Sequence, residues 1–169
     1  MPFSVRRAQK SDGPALIELR RLLFRETSNM LWEPDEFTQT AEDESNRITR
    51  LNARANGLVL LAEDSGVPVG TLTAAGGEVR RLRHSAILAL GVAKSHWGQG
   101  VASAMLGEAK TWAQSAGLHR LELTVHTSNL RALGVYLRSG FEVEGLRRHS
   151  LLVDGVYVDE YLMSLLSDA

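Results

Sequence analysis

The chain has 169 residues, a formal net charge of −1, 44% hydrophobic and 23% charged residues, and no cysteine. That length suits one domain over 1–169 with a sizeable core, at an ordinary globular composition. The charge balance excludes nucleic-acid binding by bulk electrostatics, and the missing thiols exclude disulfides, thiolate metal sites and a cysteine nucleophile.

The N-terminus, Met1 to Arg7, lacks the apolar core of a signal peptide, and Phe3 to Arg7 alternates as a first strand. No apolar run nears the roughly 20 residues that cross a bilayer. The expectation is a cytoplasmic chain with no membrane or nucleic-acid partner. Ser11-Asp12-Gly13-Pro14 reads as a capped helix start, followed by an apolar face of Leu16, Leu19, Leu22 and Leu23. Thr27 to Glu36 is irregular, and Trp32 within it either rims a substrate site or covers the core. Phe37, Ala41, Ile48, Leu51 and Ala55 share a helical face, with Glu42, Asp43, Glu44 and Asn46 on the other and Gly57 as the stop.

Leu58 to Ala62 and Val67 to Ala74 form a hairpin about Asp64-Ser65-Gly66. The basic stretch Arg80 to His84 leads to an apolar strand, Ala86 to Val92. Gly91 inside it marks a bulge, the close approach of a ligand, or a weak strand residue. A loop with Gly98 and Gly100 then opens a helix striped by Val101, Met105, Ala109, Trp112 and Ala116. Leu121, Leu123 and Val125 alternate in a strand, and Ser128-Asn129 caps a helix reaching Ser139. Two extended segments flank the turn Asp154-Gly155. The order is β-α-α-β-β-β-α-β-α-β-β, one mixed sheet with a hairpin at each end.

The glycine loop offers free backbone N–H groups at the positive end of a helix dipole, which suits a phosphate. It is neither a P-loop, lacking Gly-Lys-Ser/Thr, nor a dinucleotide fingerprint, having Ser103 in place of the third glycine. A Gly-x-Ser-x-Gly elbow is absent, and His84, His96, His119, His126 and His149 show no metal-ligand spacing.

Trp97-Gly98-Gln99-Gly100-Val101-Ala102 resembles the acyl-CoA motif of the GCN5-related N-acetyltransferases, Gln/Arg-x-x-Gly-x-Gly/Ala, with Trp97 standing where the family has Gln or Arg. Asn129-x-x-Ala132-x-x-x-Tyr136-x-x-x-Gly140-Phe141 is similar to the family's second helix, and Ala132 and Tyr136 fall on one face. The resemblance implies a mixed, mostly antiparallel α/β (α+β) fold, its central sheet flanked by helices and splayed at the acyl-CoA site. It implies transfer from acetyl-CoA to a primary amine, a small molecule or a peptide N-terminus, by direct attack in a ternary complex. The other reading on this fold is a non-catalytic acyl-CoA-binding module.

By the same resemblance, Leu90, Gly91 and Val92 lie by the pantetheine and thioester, and Trp97, Gly98, Gln99, Gly100, Val101, Ala102 and Ser103 hold the diphosphate. Asn129 and Ala132 border the arm, with Asn129 bonding the pantetheine, capping its helix, or both. Tyr136 is the candidate acid for the leaving thiolate, or simply packs on the cofactor. Glu122, Glu33, His126 and a water chain remain open as base. Glu33, Asp35 and Glu36 would suit a cationic acceptor. No metal is implied, and pairing of two subunits is a family expectation.

Overall fold

The computed structural model describes residues 3–167. The helices and strands run β1 (Phe3–Arg7), α1 (Gly13–Glu26), α2 (Ala41–Asn52), β2 (Gly57–Asp64), β3 (Val67–Gly76), β4 (Ser85–Val92), α3 (Val101–Ser115), β5 (Arg120–His126), α4 (Leu130–Arg138), β6 (Glu142–Val153) and β7 (Val156–Leu166). The strands form one sheet in the order β1-β2-β3-β4-β5-β7-β6. All neighbours are antiparallel except β4 and β5.

Strand alternation gives the sheet two buried faces. Leu60, Leu72, Leu88 and Leu123 pack with Val101, Met105 and Ala109 of α3 on one face. Val59 and Leu61 meet Leu16, Leu19 and Leu23 of α1 and Ile48 and Leu51 of α2 on the other. Each Leu, Ile, Val or Met among these removed from water contributes about 1.5–3 kcal/mol.

Where the local detail departs from the sequence reading, side-chain partners explain it. Leu22 is exposed and Ile17 is buried in its stead. Asp12 makes no cap bond to α1, because its carboxylate accepts from Arg6 (2.7 and 2.9 Å) and from Gln9 N–H (2.6 Å). The second helix begins only at Ala41, where Thr40 and Asp43 close a reciprocal capping box. Phe37 therefore lies ahead of it, edge-on to Phe24 at 4.7 Å between centroids. The helix ends at Asn52, and Gly57 opens β2. Among the described residues no helix is long and apolar enough to cross a membrane.

Candidate active site

The parallel strands β4 and β5 pair only from Ser85↔Arg120 to Ile87↔Glu122. Beyond that, Leu88–Val92 and Leu123–His126 are unpaired with each other, so a gap opens at their carboxyl ends. The helices that follow these strands, α3 and α4, begin beside that opening. On its other edge β4 stays in regular register with β3 through Thr71↔Gly91 and Gly70↔Val92. Gly91 therefore marks no bulge. A Cβ there would lie 2.6 Å from Leu23 Cδ1 and 3.3 Å from Met30 Cε, so α1 claims the space.

The alternation of an antiparallel ladder fixes which backbone groups enter the gap. Ala93 N–H donates to Val69 C=O at 2.8 Å, so the odd-numbered residues of β4 bond to β3. Leu88, Leu90 and Val92 consequently turn their N–H and C=O groups toward β5. The Val92 carbonyl accepts from the Trp97 indole N–H at 2.7 Å. The guanidinium of Arg131 on α4 stacks 4.2 Å from the Trp97 ring. One indole thus ties the end of β4, the glycine loop and α4 together.

Gly98 and Gly100 have φ of +75° and +86°, a region that costs other L-residues about 1–2 kcal/mol. No atom lies within 4 Å of a Cβ built on either glycine, so the space above the loop is open. The first bond into α3 is Ala104 N–H to Gly100 C=O at 3.0 Å. The amides of Val101, Ala102 and Ser103 have no partner among the described residues. Gln99 is turned away, donating to Ser95 C=O at 2.9 Å. Three free amides at the start of a 15-residue helix, below open space, fit a diphosphate.

Asn129 caps α4, its side chain accepting from Ala132 N–H at 3.2 Å. One turn past Ala132, Tyr136 is 8% exposed and edge-on to Phe141. Its hydroxyl has no partner among the described residues and is not sealed from solvent, and the residue lines the cavity described next. Burial pushes its pKa up to about 12, so the phenol keeps its proton at neutral pH.

A cavity of about 590 Å³ runs through the gap to the α1–α2 side of the sheet. It brings together Leu90, Gly91, Val92, Trp97, Asn129, Ala132 and Tyr136. The loop residues 98–103 lie outside its lining. Among the base candidates only His126 faces it. Glu122 is held by Arg120 Nε at 2.8 Å, and Glu33 lines a second cavity of about 380 Å³ between the α1–α2 loop and the β6–β7 turn.

Five charged residues were not read from the sequence as site residues. Arg20, Arg47, Arg147 and Glu160 line the cavity, and Glu44 lies buried at 1% exposure beside Arg20 and Arg47. Glu44 accepts from Arg20 Nη1 (2.7 Å) and from Arg47 Nε (3.0 Å) and Nη2 (2.6 Å). Burial alone would raise its pKa, but Arg47 and Arg20 outweigh this and hold it below the usual carboxylate range. The signal was present, since Glu44 falls in the helical rhythm of Ala41, Ile48 and Leu51, on the apolar stripe rather than opposite it. Glu160, across the ladder from His126, accepts from Ser150 Oγ and lies 3.5 Å from Arg147 Nη1.

The family model of the acetyltransferase (GNAT) family matches residues 17–141. The chain is 36% identical over 109 residues to the L-amino acid N-acetyltransferase AaaT of Escherichia coli (strain K12), covering 62% of this chain and 65% of that protein, so less than two thirds of the relative's length is matched. The crystal structure of an acetyltransferase of the GNAT family from Streptococcus pneumoniae superposes with a TM-score of 0.95 at 29% identity, over 98% of this chain and 99% of that one. The structure of yncA from Salmonella typhimurium, with its cofactor acetyl-CoA, shares the fold at a TM-score of 0.83 and 22% identity, over 99% and 95% of the two chains.

Proposed function

The chain belongs to the acetyltransferase (GNAT) family, and from that premise we propose a cytoplasmic, acetyl-CoA-dependent N-acetyltransferase, one catalytic domain over 1–169, acting on a primary amine. One observation carries the reading: Leu90 and Val92, whose backbone N–H groups have no strand partner on the gap side, and Tyr136 border the same cavity in the β4–β5 gap. Acetyl-CoA supplies the activated acetyl thioester. The amides of Val101, Ala102 and Ser103 receive the diphosphate, and Asn129 and Ala132 border the pantetheine. Gly91, fixed by Leu23, keeps the end of β4 flat against β3, so the N–H of Leu90 and Val92 stays aimed into the gap. A backbone N–H there stabilises negative charge building on the thioester oxygen. Tyr136 donates its proton to the departing thiolate. His126 and Glu160, adjacent on β5 and β7, are the titratable groups placed to receive the proton of an amine. No cysteine is available for an acyl-enzyme, in keeping with direct attack by the amine.

The exposed apolar side chains Val143, Leu146 and Leu152 of the edge strand β6 support pairing of two copies along that edge, which sedimentation velocity reads. The test of function is release of free thiol from acetyl-CoA with a panel of amines. The panel spans polyamines, peptide N-termini and L-amino acids, the last because the Escherichia coli relative bears that name. Turnover on any of them supports the reading. Calorimetric binding of acetyl-CoA with no turnover on the panel gives the binding module instead, and no binding overturns both.

A further inference from the structure

The α1–α2 side of the cavity carries more positive charge than its carboxylates balance. Arg20, Arg47 and Arg147 line it, against Glu160 alone in the lining and the buried Glu44 beside Arg20 and Arg47. Glu44 is shared by two guanidiniums, so the half-buried cluster of Arg20, Glu44 and Arg47 holds one uncompensated cation. Glu160 is already engaged by Ser150 and Arg147. Asp35 and Glu36, which would have suited a cationic acceptor, line neither cavity, and Glu33 lines only the smaller one.

The cluster is held in place and still has donors to give. Arg47 Nη1 donates to Thr73 Oγ1 at 3.0 Å while its other nitrogens clasp Glu44. Arg20 lies over the Phe37 ring at 4.7 Å, and its Nε and Nη2 have no partner among the described residues. Burial first, and then the neighbouring Arg47, pull the Arg20 pKa down against the opposing pull of Glu44. A second anion would relieve that repulsion. A carboxylate suits it, because a planar guanidinium pairs with two oxygens at once.

The cluster also sits at a useful distance. Thr73 pairs with Ala89, and Thr71 with Gly91. Two residues along a strand is about 7 Å, so the cation stands one small molecule away from the Leu90–Val92 backbone. We propose that Arg20 and Arg47 form a carboxylate-binding subsite for the acceptor, whose amine is thereby directed at the thioester. The acceptor class is then a free amino acid or a similar amine with an adjacent carboxylate, not a polyamine or a peptide N-terminus.

The proposal rests on the acetyltransferase reading, and its test separates the two. Wild-type protein with saturating acetyl-CoA is assayed on a panel of L-amino acids, each paired with its carboxamide and its decarboxylated amine. The expected result is a kcat/KM at least about 10-fold higher for the acid than for either partner. In Arg20→Gln, kcat/KM for the acid falls about 10- to 100-fold, with the loss in KM, and that for the carboxamide moves less than about threefold. Arg20→Lys, keeping the charge, recovers part of the loss. Equal turnover of acid, carboxamide and amine by the wild type overturns the subsite, whether or not the variant folds, and so does an equal loss on acid and carboxamide in Arg20→Gln. If no amine is turned over, the acetyltransferase reading fails, and the subsite is judged by calorimetric titration of CoA-saturated protein. Binding of the L-amino acid but not its carboxamide supports it; binding of both alike, or of neither, overturns it.

Discussion

Replacing Tyr136 by Phe removes one oxygen and leaves the ring in place. The ring keeps its edge-on contact with Phe141 at 6.0 Å, and the hydroxyl gives up no hydrogen bond among the described residues. The cost in stability at pH 7 should therefore be about 0.5 kcal/mol or less. If the phenol donates its proton to the leaving thiolate, kcat should fall about 100- to 10,000-fold while KM for acetyl-CoA changes little. The raised pKa gives the same variant a second readout. The folded state holds this proton to about pH 12, against the ordinary value of 10.0, so it binds more protons than the unfolded chain between those limits. The stability tied to this group is therefore fully present below pH 10 and lost as pH rises toward 12. Wild type should therefore lose about 3 kcal/mol relative to Tyr136→Phe across that window, which turns the small difference at pH 7 in the variant's favour. Steady-state kinetics and urea melts from pH 7 to 12 test both. A kcat within threefold of wild type in a folded variant refutes the acid role.

Three further outcomes follow from the geometry. Gly100→Ala forces a side chain to adopt φ of +86°, which should cost about 1–2 kcal/mol in a urea melt and weaken acetyl-CoA binding measured by calorimetry. Trp97→Phe removes the indole donor to Val92 C=O and should raise the Kd for acetyl-CoA about 10-fold. Glu44→Gln leaves two guanidiniums facing each other and should destabilise the fold by about 3–5 kcal/mol. Because the folded-state pKa of Glu44 is depressed, its contribution is present above the ordinary value of 4.5 and lost as pH falls through the folded value. The variant's melting temperature should consequently lose part of its acid-side pH dependence.

The sheet and helices were legible because their information is periodic and local. Alternation in β1 and β5, the apolar runs of β2 and β4, the helical stripe from Val101, and the turn signals at Ser65-Gly66 and Asp154-Gly155 each need only a few neighbouring residues. Asn129, Ala132 and Tyr136 were picked out by the resemblance of their spacing to the family's second helix, and the structure brings all three to one cavity. What the sequence hid are contacts between distant segments. The apolar stripe of α2 shows that Glu44 is turned inward, but not that Arg20, on another helix, is brought beside it. Gly91 reads as a bulge until Leu23 is seen to occupy its missing side chain. In both, helix α1 supplies the partner, and nothing local to β4 or α2 announces where α1 will lie.

Trp97 stands at the one position where the glycine loop departs from the family motif. A Gln or Arg there could reach a bound phosphate with its own polar tip. The indole spends its single donor inward, on Val92 C=O, and receives Arg131 on its face. The exchange consumes the last backbone acceptor of β4 on the gap side and leaves the Val92 N–H as a donor there. It also fixes that strand end to the loop and to α4, which carries Tyr136. The departure therefore takes nothing from the proposed phosphate cradle, which is made of main-chain amides. It ties the proposed oxyanion donor, the diphosphate loop and the proposed proton donor to one rigid ring, so that loosening the ring should disturb all three together.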